Sequence, residues 1–306
     1  MERTVTYRQS RRGGGKLTQH LSSWLIMLPS ILLFAFFLWG PLAQGIVMSF
    51  FTTRNVSLDK FVGIGNYASI FKSQEFWQAF GNTVMYTVWS LVIGFLVPIA
   101  MALVIGETTR GKGFFRTASY VPNVLPGLAA IILYTAFFSA EETGVFNIIL
   151  KWFGVERQSY LTEMGLVIPL IVIISTWKGA GATALIYMAG LSGINPELYE
   201  AATIDGAGIW KRVRHITMPA IFNLGSTLMI LQIITVFQIL YEPMVLTKGG
   251  PDNASLSLMY LMWRYAFGGR IEFGKAAAAG VIISLILLLF TLLYTRVNRR
   301  KNDWEG

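Results

Sequence analysis

The sequence predicts an all-α polytopic membrane protein with six transmembrane helices and both termini in the cytosol. Three observations carry that reading. Of its 306 residues 54% are hydrophobic and 13% charged, with a mean hydropathy of +0.55, outside the habit of soluble domains. Between the charged residues lie six apolar stretches of roughly the twenty residues a bilayer core requires. Lysine and arginine then divide unevenly between the two sets of flanks, fifteen against nine with Lys178 left inside a span, and the richer side is the cytosolic one.

Each element follows in order. Residues 1–21 form a cytosolic basic tail with Arg3, Arg8, Arg11, Arg12 and Lys16. The first span, 22–50, is too long for a secretory leader and lacks a small-residue cleavage site, so it reads as an uncleaved anchor. With the outer loop that follows it, it makes a unit of residues 22–78. A core over 79–295 holds the other five spans, at 79–105, 117–139, 164–190, 217–241 and 276–295. Arg110, Lys112 and Arg116 mark the cytosolic loop before the third span, where Pro122 and Pro126 predict kinks or unwound turns. Pro169 predicts the same in the fourth. The chain closes on a cytosolic tail, 296–306, with Arg296, Arg299, Arg300 and Lys301.

Residues 195–219 cannot span a membrane and have a helical grammar of their own. Asn195 is an N-cap, Pro196 suits the first helical position, and Glu197 and Glu200 favour the start of a short helix through its dipole. Gly206 permits a left-handed stop. A second helix collects Lys211, Arg212, Arg214 and His215 before Pro219 opens the next apolar segment. The result is a helix-turn-helix elbow at the cytosolic surface, acidic first and basic second.

That elbow carries a resemblance. Glu200-Ala201-Ala202, Gly206, Ile216 and Met218-Pro219, with Asp205 before the glycine, resemble the EAA loop of ABC importer permeases in its sugar-transporting branch, with Met218 in place of leucine. Residues 61–67 (Phe-Val-Gly-Ile-Gly-Asn-Tyr), Phe76-Trp77 and Asn82-Thr83 are similar to the entry of the permease core in the maltose-type family. Residues 247–251, 265–267 and 273–278 are similar to its last outer loop and final span. The resemblance implies a type I permease architecture in a bacterial inner membrane and a heterodimer with a second permease subunit. It also implies an ATPase dimer carrying ATP and Mg, and an extracellular solute-binding protein. In the family the first short helix of the elbow docks on the ATPase. Here Tyr199, Ala201, Ala202 and Ile204 would supply apolar contact, Glu200 and Asp205 polar anchors, and Gly206 the bend. The implied cargo is a carbohydrate, an oligosaccharide, moved by alternating access. A polyol or glycerol phosphate importer shares these features, and an independent channel or secondary transporter is the remaining alternative.

Inside the membrane Lys178 is the anomaly, since a charge within a span marks a pathway or a buried partner by default. Its neighbours Trp177, Gly179 and Gly181 equally suit a locally broken helix, or a stem reaching toward the interface. Gln232, Gln238, Tyr241 and Glu242 bring polar groups to the fifth span, as Asn82 and Tyr86 do to the second. Sugars are held by hydroxyl hydrogen bonds and aromatic platforms, so Trp177, Lys178, Tyr187, Gln232, Gln238 and Tyr241 are the pathway candidates; any of them also suits helix–helix contact.

Other chemistries find no support. The net charge of +9 clusters beside apolar spans, which suits topology and anionic headgroups rather than nucleic acid. Zero cysteines exclude disulfides and thiolate metal sites, and His20 and His215 lack ligand spacing. Residues 269–275 fit the start of a P-loop, but Ala276 replaces the Mg-binding hydroxyl and no strand precedes it. Glu141-Glu142 reads as a solvated turn. The expectation is a subunit with no catalytic residue, no metal and no ATPase site of its own.

Overall fold

The computed structural model describes the backbone of residues 16–302 apart from Asn55, Thr109 and Arg270, and side-chain surroundings within 23–297. Arg3, Arg8, Arg11, Arg12 and Arg270, and the side chains of Lys16, His20, Arg299, Arg300 and Lys301, lie outside the described residues. Among the described residues five helices are long and apolar enough to cross a bilayer: Ser23–Met48, Gln74–Glu107, Val167–Leu191, Phe222–Leu246 and Phe273–Val297.

The third span differs from a single helix over 117–139. It is a pair, Lys112–Val124 and Gly127–Phe137, bent by 94°. Proline is the cause. Pro126 pushes Leu125 out of the helical region to φ −62° and ψ 133°, and the Pro126 nitrogen has no proton to continue the ladder. Pro169 behaves otherwise, because it falls in the first turn of Val167–Leu191, where that proton would be unpaired anyway. The fourth span therefore runs without a kink, and the local break considered at Lys178 is absent. Pro219 does not open the fifth span either. It sits in the short turn Met218–Ala220, and the span begins at Phe222.

The fourth span is the axis of the bundle. Lipid tails are as apolar as leucine, so helices in a bilayer associate through close packing rather than water exclusion, and small residues allow it. Ala180, Gly181 and Ala184, all buried, make that surface here. Gly181 packs directly on the backbone of Ser119 and Tyr120, so the bent third span lies against the fourth with no room for a side chain. Toward the elbow, Ala184, Tyr187 and Met188 pack on Ile99, Ala102 and Ile105 of the second span. At the opposite end, Val167, Ile168, Ile171 and Val172 pack with Tyr86 and Val236.

That opposite end is tied down by polar contacts. Strands Phe51–Arg54 and Ser57–Phe61 pair antiparallel, a hairpin not read from the sequence. Asn66 Nδ2 donates to the carbonyls of Ser49 (2.8 Å) and Phe51 (2.9 Å), and Gly274 of the sixth span leans on the Phe51 carbonyl. The loop at 247–257 is pinned harder. Asn82 Nδ2 donates to Asn253 O (2.7 Å) and Leu256 O (3.0 Å), Tyr86 Oη to Ser255 O (3.0 Å), and the Leu258 amide to Thr83 Oγ1 (3.0 Å). Arg264 bridges Glu75 and Asn253, each at 3.1 Å. These contacts hold Lys248, Asp252 and Asn253 at positive φ, which non-glycine residues adopt only under constraint.

Candidate functional site

Two features stand out in this scaffold, a polar cavity inside the bundle and the elbow at one end. The cavity encloses about 480 Å³ between the second, third, fourth and fifth spans. Its floor forms where Gly94 lets three helices converge. A Cβ at Gly94 would lie 2.9 Å from Gln232 Nε2, 3.0 Å from Ser90 Oγ and 3.2 Å from Thr176 Oγ1. Gln232 Nε2 donates to Ser90 Oγ, so the fifth span is tied to the second at a short run of π-helix, Ser90–Gly94. The third span contributes Asn123, two residues before its break at Leu125. From the fourth come Ser175, Thr176 and Thr183. From the fifth come Gln232, Thr235, Gln238, Tyr241 and Glu242, the last three where Phe222–Phe237 stops and Tyr241–Leu246 restarts. Hydroxyls and amides thus meet at two helix breaks, where backbone polar groups are also free to face a cavity.

Of the pathway candidates, Gln232, Gln238 and Tyr241 come together on this wall. Trp177, Lys178 and Tyr187 are elsewhere. Trp177 is 45% exposed and stands edge-on to Tyr134 of the third span. Tyr187 is fully buried among the apolar contacts near the elbow, and its hydroxyl has no hydrogen-bond partner among the described residues. Lys178 is directed at the break in the third span, its Nζ 2.8 Å from where a Cβ on Gly127 would lie. Asn82, on the second span, is taken up in pinning the loop at 247–257. Ser90, Asn123, Thr176 and Glu242 are wall residues that sequence reasoning did not select. A polar side chain recurring inside an apolar span was the available signal, and it is shared with ordinary helix–helix contacts.

The elbow is built as its local sequence dictates. Asn195 Oδ1 accepts from the Glu197 amide (3.0 Å), and Pro196 begins the helix Pro196–Ile204. Gly206 ends it at φ +72°, with Gly206 N donating to Thr203 O and Ala207 N to Ala202 O, the paired bonds of a left-handed helix stop. Ile209–Arg212 continues through a π-helical turn, Val213–Thr217, toward the fifth span. Two side-chain bonds fix the angle between the arms: Arg212 Nη1 to Thr203 Oγ1 (3.2 Å), and Tyr199 Oη with Thr217 Oγ1 (2.9 Å).

This arrangement sorts the elbow residues. Tyr199 and Ala202 turn toward their own chain, with Tyr199 lining a small pocket beside Glu107, Lys112 and Arg116. Glu200, Ala201, Ile204, Asp205 and Gly206 are exposed. Leu198, Ile209 and Trp210 join them, and the exposures of Ile204 (87%) and Trp210 (81%) make an apolar ridge across both arms that the motif alone did not mark. Lys275, in the sixth span, has its Nζ 4.4 Å above the Tyr265 ring and 3.8 Å from Glu272.

Known proteins share this organisation. Residues 94–303 match the family model for the binding-protein-dependent transport system inner membrane component. The probable ABC transporter permease protein YurN of Bacillus subtilis is 30% identical over 88% of this chain and 93% of its own length. The lactose transport system permease protein LacF of Rhizobium radiobacter is 31% identical over 89% and 92%. Among solved structures, a bacterial ABC transporter involved in the import of the acidic polysaccharide alginate has a chain that superposes with a TM-score of 0.83. That chain is 28% identical, with coverage of 93% of this chain and 97% of its own. A second structure, of the bacterial alginate ABC transporter in complex with alginate pentasaccharide-bound periplasmic protein, gives 0.82 at 27% identity, covering 93% and 96%.

Proposed function

This chain belongs to the family of binding-protein-dependent transport system inner membrane components, the multi-pass permease subunits of ABC importers, and we propose that its cargo is an oligosaccharide. The observation that carries the proposal is the cavity. A saccharide presents many hydroxyls that both donate and accept, and the wall answers with amides from Gln232, Gln238 and Asn123, hydroxyls from Ser175 and Thr183, and the Tyr241 ring. Its volume leaves room for more than one sugar ring. A phosphorylated polyol would call for cations on the wall, and the described wall residues include none. Family membership sets aside the independent channel and the secondary transporter.

The remaining roles are part of the same proposal. The chain pairs with a second permease subunit, receives cargo from an extracellular solute-binding protein, and is driven by an ATPase dimer that binds ATP and Mg in its place. Glu200, Ala201, Ile204, Asp205 and Gly206 offer the elbow surface to the ATPase, while Tyr199 ties the two arms together and Ala202 turns inward. The bonds between its arms make the elbow a stiff lever, so a displacement of the ATPase is passed to the fifth span and to the cavity wall. Lys178 and Trp177 act on the pathway through the third span rather than from the wall, and Tyr187 supports the fourth.

The test is an affinity pull-down of this subunit from its native membrane. Wild type should recover an ATPase and a second permease. Gly206→Pro should lose the ATPase, because proline cannot adopt φ +72° and lacks the proton that Gly206 donates to Thr203 O. Glu200→Ala should weaken its recovery. Capture of the chain alone, unchanged in both variants, would overturn the reading.

A further inference from the structure

We infer that the cavity is selective by charge, with Glu242 as the residue that excludes anionic saccharides, so that the cargo is an uncharged sugar. The inference rests on the carbohydrate reading and deepens it. Among the described wall residues Glu242 is the one acidic side chain, and no lysine, arginine or histidine joins it. It is half-buried in the wall at the start of Tyr241–Leu246 and has no hydrogen-bond or ion-pair partner among the described residues. Its oxygens are therefore free to accept from cargo hydroxyls. Lys178, the charge of the fourth span, is not among the wall residues; its Nζ lies 2.8 Å from where a Cβ on Gly127 would be, at the break of the third span.

The physical consequence is discrimination. A uronate brought to this wall would place a second carboxylate near Glu242, with no cation among the described wall residues to offset it. Like charges in that setting weaken binding by about tenfold or more. An uncharged saccharide instead gains the strong hydrogen bonds that a carboxylate accepts from hydroxyls. The fold is shared with a transporter of acidic alginate, so the selectivity lies in side chains on the wall rather than in architecture.

Equilibrium binding to the intact complex in nanodiscs, without the solute-binding protein, isolates this wall from upstream selection. The probes are radiolabelled maltotriose, arabinotriose and diacetylchitobiose against trimannuronate and trigalacturonate. Wild type should bind one of the neutral sugars and bind both uronates at least about tenfold more weakly. Glu242→Gln, which keeps the shape and loses the charge, should close most of that gap by raising uronate affinity. Glu242→Lys should invert the preference. Uronate binding equal to the neutral sugars in wild type, or a gap unmoved by Glu242→Gln, would refute the charge inference and leave the carbohydrate reading standing. Failure of every saccharide, with binding of a non-sugar solute, would refute both.

Discussion

Two glycines in the bundle core serve opposite purposes, and substitution should separate them. Gly181 meets the Ser119 backbone, so a Cβ there collides with atoms that move only if the third span moves. Gly181→Ala should destabilise the protein by about 1–3 kcal/mol, the usual cost of overpacking a close helix contact. The atoms nearest a Cβ on Gly94 are instead side-chain ends, those of Gln232, Ser90 and Thr176. Those ends can rotate, so Gly94→Ala should cost under about 1 kcal/mol of stability while pulling Gln232 off Ser90 and weakening cargo binding. Thermal unfolding in detergent alongside saccharide binding reads both; equal stability losses would show that the two sites pack alike. Neither role could be seen in the sequence, where Gly94 and Gly181 are two of thirty glycines. Gly206 was legible, because its left-handed φ follows from a capped helix of fixed length before it.

At the scale of elements, the spans were readable because charge avoidance over about twenty residues is a strong and local signal. The break in the third span was readable as far as Pro126 dictates it. What the sequence did not disclose is how spans meet, and hence which polar side chains share a cavity. Gln232, Gln238 and Tyr241 reach the wall; Tyr187, on an equally apolar helix, faces a packed core. The pinned loop at 247–257 is likewise long-range, since Asn82 and Arg264 reach it from other helices. Asn82→Leu should strip donors from two carbonyls at once, at about 1–3 kcal/mol for each group left unsatisfied. Lys248 is already exposed, so the loosened loop should become a trypsin site at Lys248 in folded protein that wild type resists. Unchanged digestion would mean that Arg264 and Tyr86 suffice to hold it.

The whole molecule is a pair of dissimilar ends joined by an apolar bundle, and its orientation follows from charge rather than from shape. Glu107, Lys112, Arg116, Tyr199 and Thr217 surround one pocket, so the loop before the third span and the elbow share an end. The hairpin contact with Gly274 places the start of the sixth span at the other. Fifteen lysines and arginines flank spans on the elbow side against nine opposite, which predicts that the elbow faces the cytosol. The absence of cysteine makes the chain a ready background for testing this, because every introduced thiol is the only one. Ile204→Cys and Asp252→Cys both substitute exposed positions at opposite ends. In intact cells a membrane-impermeant maleimide should label Cys at 252 and not at 204, and inside-out vesicles should reverse the pattern. Labelling at 204 from outside would invert the topology and remove the elbow from reach of any cytosolic ATPase, so this experiment bears on the coupling proposal as directly as on orientation.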